Sequence, residues 1–191
     1  MKPKLQEQKA AEREYFCPAS PAEWRLWLEK NGAHKREIWV LIPHKSTNKP
    51  RVSYMEAIGE AICFGWIDGM IKRYDAATVS HRFSPRTAKT SWSEVNKHHA
   101  RLLIEAGKMT PAGFAVLPDL SEKPFACAPD ILSELQKDPL VWKNFCAFPE
   151  YYRSIRIAAI EACRDWPERF FKALSYFAEQ TRRNRRYGRF K

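Results

Sequence analysis

The feature that most constrains the fold is a set of helix-start signals that recurs from Thr110 to the end of the chain. Each combines a proline with a polar or acidic residue beside it of the kind that caps a helix, and proline fits the start of a helix because it has no N–H to donate. These signals stand at Thr110-Pro111, Pro129-Asp130, Asp138-Pro139 and Asp165-Trp166-Pro167. They predict helices that begin near 111, 129, 139 and 167, and the whole stretch reads as helical, over 111–117, 129–137, 139–147, 150–164 and 167–182. The C-terminal half is therefore expected to be all helical.

Upstream of Thr110, helical patterns alternate with runs that favour strands. The apolar, β-branched run 37–43 predicts a buried strand, and the runs 66–74 and 78–84 predict an antiparallel hairpin. Ser caps followed by periodic apolar residues predict helices over 20–31, over 53–64 and from Ser91 or Ser93 to about 106. The N-terminal half is thus predicted to be a small antiparallel sheet with helices, and the chain to be of the α+β class.

Three regions follow from these patterns. Residues 15–117 form a predicted α+β domain, 129–182 form a helical region, and 183–191 form a basic tail. Residues 118–128 are the one long predicted loop. The sequence leaves open whether the α+β domain and the helical region share one core.

Composition excludes several classes of protein. The 191 residues carry 33 basic and 22 acidic side chains, for a net charge of +11, and 45% of them are hydrophobic, which is typical of a folded domain. No run approaches the roughly 18 apolar residues that cross a bilayer, and the N-terminus lacks an apolar signal region. The five cysteines contain no CxxC pair. We therefore expect a cytoplasmic protein with reduced thiols and no membrane insertion.

An anion-binding pocket is the sharpest chemical hypothesis from the residues. Arg82 and Arg86 bracket the end of the second hairpin strand, just before the helix that Ser91 or Ser93 caps. Guanidinium groups bind carboxylate or phosphate bidentately, and a helix N-terminus adds N–H donors. The predicted ligand-binding residues are Trp66, Asp68, Arg82, Ser84, Arg86, Trp92, Ser93 and Asn96. The alternative is structural: Arg82 pairs with Asp68 or Asp75, and Ser91 only caps a helix.

Catalytic and metal motifs are absent from the sequence. It contains no HExxH, Walker, GxSxG or GxGxxG pattern. The consecutive residues His98 and His99 project about 100° apart on a helix and do not form a chelating pair. We expect no metal and no cofactor, and the residues leave open whether the protein is an enzyme.

The basic tail gives a second function class. Residues 182–191 hold six basic side chains and no acid. Interleaved with Tyr187 and Phe190, these charges are typical of a segment that binds nucleic acid or another anionic surface. The candidate residues are Arg182, Arg183, Arg185, Arg186 and Arg189. A solvated end that only aids solubility is the alternative, and a protein-interaction module in the helical half is a third function class.

Several motifs, in one order along about residues 20–165, resemble the YdeI/OmpD-associated family, whose members are also labelled bacteriocin-protection proteins. They are the HKSTNKP segment within 37–50, Ser53-Tyr54-x-Glu56-Ala57 running on to CFGWIDG (63–69), RFSPR (82–86), SWSxxN (91–96) and GKMTPAG (107–113). The resemblance implies a bacterial protein with a loose link to resistance against bacteriocins or antimicrobial peptides, and it implies no established reaction.

Overall fold

The computed structural model describes residues 13–87, 89–121 and 125–188, which divide into two compact units. Within those ranges the first unit comprises 13–91 and 99–119, and the second comprises 92–98 and 120–188. The first unit contains the whole sheet, and the second is helical. The fold is therefore α+β.

The first unit is built from four strands and the helices between and after them. Its strands are β1 (Tyr15–Phe16), β2 (Ile38–Pro43), β3 (Trp66–Arg73) and β4 (Thr78–Pro85). Its helices are α1 (Pro21–Asn31), α2 (Tyr54–Cys63) and the short α4 (Pro111–Phe114), together with a 3₁₀ turn at Lys45–Thr47. Helix α3 (Glu94–Glu105) contributes residues to both units.

The sheet has the strand order β1-β2-β4-β3 and is mixed, which corrects the prediction of a purely antiparallel sheet. Strand β1 pairs in parallel with β2, because α1 crosses over between them. The other two pairings are antiparallel, and the predicted hairpin of β3 and β4 is confirmed. β1 escaped prediction because two residues are too few to show an alternating pattern.

Strand β4 separates its side chains between the two faces of the sheet. His81 and Phe83 are buried on the face that packs against the helices, where the Phe83 ring lies 5.5 Å from that of Trp24 on α1. Arg82 points to the opposite face and stands beside Trp39 of β2 in the ladder. The ladder between β3 and β4 contains one extra residue of β3 between Asp68 and Ile71. This β-bulge decides which face Asp68 occupies.

Capping side chains begin both long helices of the first unit, as predicted. Ser20 Oγ accepts a hydrogen bond from the Glu23 N–H at 3.2 Å at the start of α1. Ser53 and Glu56 form a complete capping box at the start of α2, each side chain bonding the other's backbone N–H. Such caps stabilise a helix by about 1 kcal/mol each. They fix where the first turn of α2 lies.

Apart from the start of α3, the described part of the second unit contains four helices around an aromatic core. They are α5 (Pro129–Gln136), α6 (Pro139–Ala147), α7 (Glu150–Glu161) and α8 (Pro167–Arg182). Phe145 of α6, Tyr152 of α7 and Phe177 of α8 are fully or almost fully buried in this core. Every regular element described between 125 and 188 is a helix, consistent with the prediction for this part of the chain.

Among the described residues, no helix is both long and apolar enough to span a lipid bilayer.

Candidate functional site

A cleft of about 470 Å³ opens in the first unit, where the end of β2 and the first turn of α2 meet β4. Its walls come from stretches far apart in sequence, because the antiparallel pairing sets Ile42 of β2 opposite Val79 of β4. The lining residues are Ile42, Pro43, His44, Lys45, Arg51, Ser53, Tyr54, Met55, Val79 and His81. All of them belong to the first unit.

Positive charge dominates the lining of the cleft. Lys45 and Arg51 are cationic, and none of the residues that line the cleft is acidic. Within the described ranges, neither cation forms an ion pair. The first turn of α2 adds the positive end of a ten-residue helix. The cleft can therefore hold an anion without displacing an internal partner.

The carboxylate in the first turn of α2, that of Glu56, is already engaged in the capping box. Glu56 accepts the Ser53 N–H at 2.8 Å. Hydrogen bonding to Ser53, with a further contribution from the charge of Arg51, lowers the pKa of Glu56 below its ordinary value. The carboxylate is thus ionised at neutral pH, and it offsets part of the positive charge on Arg51.

One wall of the cleft is a stack of two rings. Tyr54 and His81 lie with ring centroids 4.5 Å apart and planes inclined by 28°. The Tyr54 hydroxyl donates a short hydrogen bond to the carboxylate of Asp68 on β3. Through these two contacts Tyr54 connects α2 to β4 and to the edge strand β3, and the contacts fix the position of the cleft wall.

The structure places the predicted ligand-binding residues of β3 and β4 in different surroundings. Trp66 is only 1% exposed, and its indole N–H donates to the Gly32 carbonyl at 3.2 Å. Asp68 lies on the helix-facing side, next to the cleft wall. Arg82 lies on the opposite face, with its guanidinium 2.7 Å from Glu37. Ser84, half-buried, shares the face of Arg82.

Arg86 is a buried cation near Asp68. It is 6% exposed, and Nη1 donates to the Ser91 carbonyl at 3.3 Å. Burial lowers the pKa of Arg86 to about 10, while the charge of Asp68 works in the opposite direction. Of the predicted set, Asp68 therefore acts on Arg86 only through its charge, and Arg82 lies on the other face of the sheet from Asp68.

The remaining three predicted residues belong to the second unit: Trp92, Ser93 and Asn96. Ser93 is the helix cap, since its Oγ accepts from the Asn96 N–H at 3.2 Å. This settles the choice between Ser91 and Ser93 as the start of α3. Ligand binding by the eight residues stays a prediction.

Sequence reasoning missed the residues that line the cleft. None of the residues that line the cleft belongs to the predicted ligand-binding set, and Lys45 and Tyr54 enter the sequence analysis only within motifs that carry the family resemblance. One signal was available: alternation along β4 places His81 on the helix-facing side, where α2 begins. The pairing of β2 with β4, which brings residues 42–55 beside His81, joins distant parts of the chain, so no local sequence motif indicates it.

Metal ligation has no candidate in the described part of the chain. No group of three or more His, Cys, Asp or Glu residues is placed there to hold an ion. His98 stacks against Tyr151 with ring centroids 4.4 Å apart and planes inclined by 2°.

Two of the predicted tail arginines are already engaged. Arg182 forms an ion pair with Asp138 at 3.1 Å, and Arg183 forms one with Glu179 at 2.5 Å. Arg185 and Arg186 are exposed. Arg189, the fifth predicted residue of this set, lies outside the described residues.

Comparison with known proteins identifies a family but no activity. No curated protein and no solved structure matches the chain. The model of one family, described as a domain of unknown function (DUF8412), matches residues 16–116. This stretch runs from the second residue of β1 through α4, and it includes β2, β3, β4 and the whole cleft. The chain therefore belongs to the DUF8412 family.

Proposed function

We propose that this protein binds a small anionic ligand in the cleft between β2, α2 and β4. The observation that carries the proposal is the pair of cations, Lys45 and Arg51, in a lining that contains no acid. Charge-assisted hydrogen bonds contribute about 1.5–3 kcal/mol each. Two of them correspond to a dissociation constant between several millimolar and tens of micromolar.

The size of the cleft favours a ligand larger than a single phosphate. A volume of about 470 Å³ falls within the range of small-molecule sites. Ile42, Pro43 and Met55 supply an apolar part of the wall, and the polar groups stand beside it. The proposed class is therefore a phosphorylated or carboxylated metabolite with an apolar portion.

The resemblance to the YdeI/OmpD-associated family supports the choice of site. The HKSTNKP segment and Ser53-Tyr54, two of the motifs that carry it, supply four of the lining residues: His44, Lys45, Ser53 and Tyr54. Kinship to that family, and a link to bacteriocin resistance, remain proposals based on these motifs. Asp68, from the predicted ligand-binding set, acts in this proposal by holding the Tyr54 hydroxyl.

A thermal-shift titration tests the proposal. Pyrophosphate, adenosine monophosphate and citrate are each added up to 10 mM to the full chain. A ligand at 100 times its dissociation constant stabilises the folded state by about 2.7 kcal/mol, so at least one probe should raise the melting temperature of the wild type. The double variant Lys45→Gln/Arg51→Gln should lose this shift.

A matched control removes the same charge elsewhere. The double variant Arg185→Gln/Arg186→Gln carries the same net charge as the cleft variant, and its changes lie in the second unit. It should keep the wild-type shift. The proposal fails if no probe shifts the wild type, or if both double variants lose the shift equally.

A further inference from the structure

The chain turns sharply after α8 and is fixed there. Asn184 adopts a left-handed conformation with φ of +50°, which asparagine tolerates better than most residues. The Arg185 N–H donates to the Gln180 carbonyl at 2.9 Å, and the Asn184 N–H donates to Thr181 at 2.8 Å. These bonds cap the last turn of the helix. The residues that follow are directed back across the second unit.

Tyr187 anchors this returning segment on α7 and α8. Its backbone N–H donates to the hydroxyl of the fully buried Tyr152 at 3.0 Å. The Arg156 guanidinium lies 4.9 Å from the centre of the Tyr187 ring, and Tyr176 meets that ring edge-on at 5.0 Å. A Cβ on Gly188 would lie 3.0 Å from Arg156, so the backbone itself packs on the guanidinium. Residues 182–188, the basic segment, are therefore docked.

The docked segment presents charge and an aromatic ring together. Arg185 and Arg186 are exposed, and no acid in the described ranges forms an ion pair with either. Tyr176, which is 52% exposed, lies beside the segment through its contact with Tyr187. Docking fixes the spacing of these groups, which a freely moving tail would not do.

Single-stranded nucleic acid is the partner that this combination fits. Guanidinium groups pair with phosphates along the backbone, and an exposed aromatic ring stacks an unpaired base for about 1–3 kcal/mol. In a duplex the bases are already stacked on one another, so no unpaired base is free to stack on the ring of Tyr176. A net charge of +11 favours approach of a polyanion.

We propose that the docked basic segment 182–188, with Tyr176, is a binding surface for single-stranded nucleic acid on the second unit. The anchor positions Arg185 and Arg186 relative to the ring. Binding at this surface is separate from anion binding in the cleft of the first unit, and either proposal can fail alone.

Fluorescence anisotropy with labelled dT20, rU20 and a 20-base-pair duplex tests this surface over a range of salt concentrations. Each single-strand phosphate contact contributes about 0.7 to the slope of log affinity against log salt. The Arg185→Gln/Arg186→Gln variant should lose about 1.4 from that slope and bind roughly tenfold or more weakly at 0.1 M salt. The equally charged Lys45→Gln/Arg51→Gln variant should bind like the wild type.

Two variants test the anchor without changing any charge. Tyr187→Ala removes the docked ring, and Tyr152→Phe removes only the hydroxyl that accepts the Tyr187 N–H. Both should weaken binding at constant salt slope, and circular dichroism should show unchanged helix content at least for Tyr152→Phe. Wild-type affinity in Tyr152→Phe would overturn the anchored surface. Equal binding of the duplex and the single strands would overturn the stacking role of Tyr176, and equal affinity of the two double variants would overturn the proposal.

Discussion

Among the glycines of the described residues, Gly113 is the one at which an added Cβ would lie closest to another atom. A Cβ at Gly113 would lie 2.2 Å from the Cys63 carbonyl oxygen and 2.8 Å from the Cys63 carbonyl carbon. The neighbour is backbone at the end of α2, so it cannot rotate away as a flexible side chain would. Gly113→Ala must therefore either shift the backbone or displace α4 from α2.

A shifted backbone and a displaced α4 should lower the free energy of unfolding by similar amounts. Forcing an extra methyl into a packed site costs typically about 1–3 kcal/mol. Displacing α4 breaks the bonds that Thr110 makes to the Cys63 carbonyl, from its N–H at 3.1 Å and from its hydroxyl at 2.6 Å. Each is worth about 1 kcal/mol net. We therefore expect the free energy of unfolding to fall by about 2–3 kcal/mol.

Gly69→Ala is the matched control for this prediction. A Cβ at Gly69 would lie 3.8 Å from the Arg82 carbonyl oxygen, which is ordinary contact, and Gly69 does not have positive φ. Its unfolding free energy should stay within about 0.5 kcal/mol of wild type or rise slightly, because alanine restricts the unfolded chain.

Urea denaturation followed by tryptophan fluorescence and far-ultraviolet circular dichroism measures both variants. With an m-value of about 2 kcal/mol/M, the Gly113→Ala midpoint should fall by about 1–1.5 M. A Gly113→Ala midpoint within 0.3 M of the Gly69→Ala midpoint would refute the close docking of α4 on the end of α2.

Three further predictions concern pH, packing and thiol reactivity. Because the native pKa of Glu56 is lowered, the stability that its carboxylate provides is present above its ordinary pKa of 4.5 and is lost as the pH falls through the native value. Glu56→Gln should therefore lower the free energy of unfolding by about 0.5–1 kcal/mol at pH 7, in the range of a lost cap. In urea titrations below pH 4.5 this difference from wild type should shrink. Phe145→Ala should cost about 3–5 kcal/mol in the same denaturation assay because Phe145 is buried, whereas Phe171→Ala, at a side chain 64% exposed, should change the midpoint little; equal effects would contradict the assigned core. Burial raises the pKa of Cys127 to about 11, so its thiol should react with iodoacetamide at pH 8 more slowly than the thiol of the exposed Cys146. Timed labelling followed by peptide mass mapping measures the two rates, and equal rates would contradict the burial of Cys127.

Local chemistry made the helix starts predictable. Ser20 and Ser53 cap helices because their hydroxyls accept N–H groups three residues ahead, and this bond depends only on neighbouring residues. Pro111, Pro139 and Pro167 begin helices for an equally local reason. These signals involve no distant part of the chain, so the sequence displays them directly.

Non-local pairing made the cleft and β1 unpredictable. Tyr15 finds its ladder partner at Trp39, and two residues give no periodicity from which to infer such a pair. The ring stack of Tyr54 and His81 depends on how α2 lies over β4, which is a matter of packing. The charges of Lys45 and Arg51 were visible in the sequence, but the cleft that collects them forms only when β2 and β4 pair.

The placement of Asp68 shows how one residue of register can move a predicted site. Arg73 lies opposite Val79 and Ile71 opposite His81; a regular ladder continued from these pairs would set Asp68 opposite Ser84, on the same face as Arg82. The bulge between Asp68 and Ile71 sets Asp68 opposite Phe83 instead, and because side chains alternate, it moves the carboxylate to the helix-facing side. There the carboxylate accepts a hydrogen bond from the Tyr54 hydroxyl, and Arg82 pairs instead with Glu37 on the other face. The carboxylate that the sequence assigned beside Arg82 thereby becomes part of the support for the cleft wall.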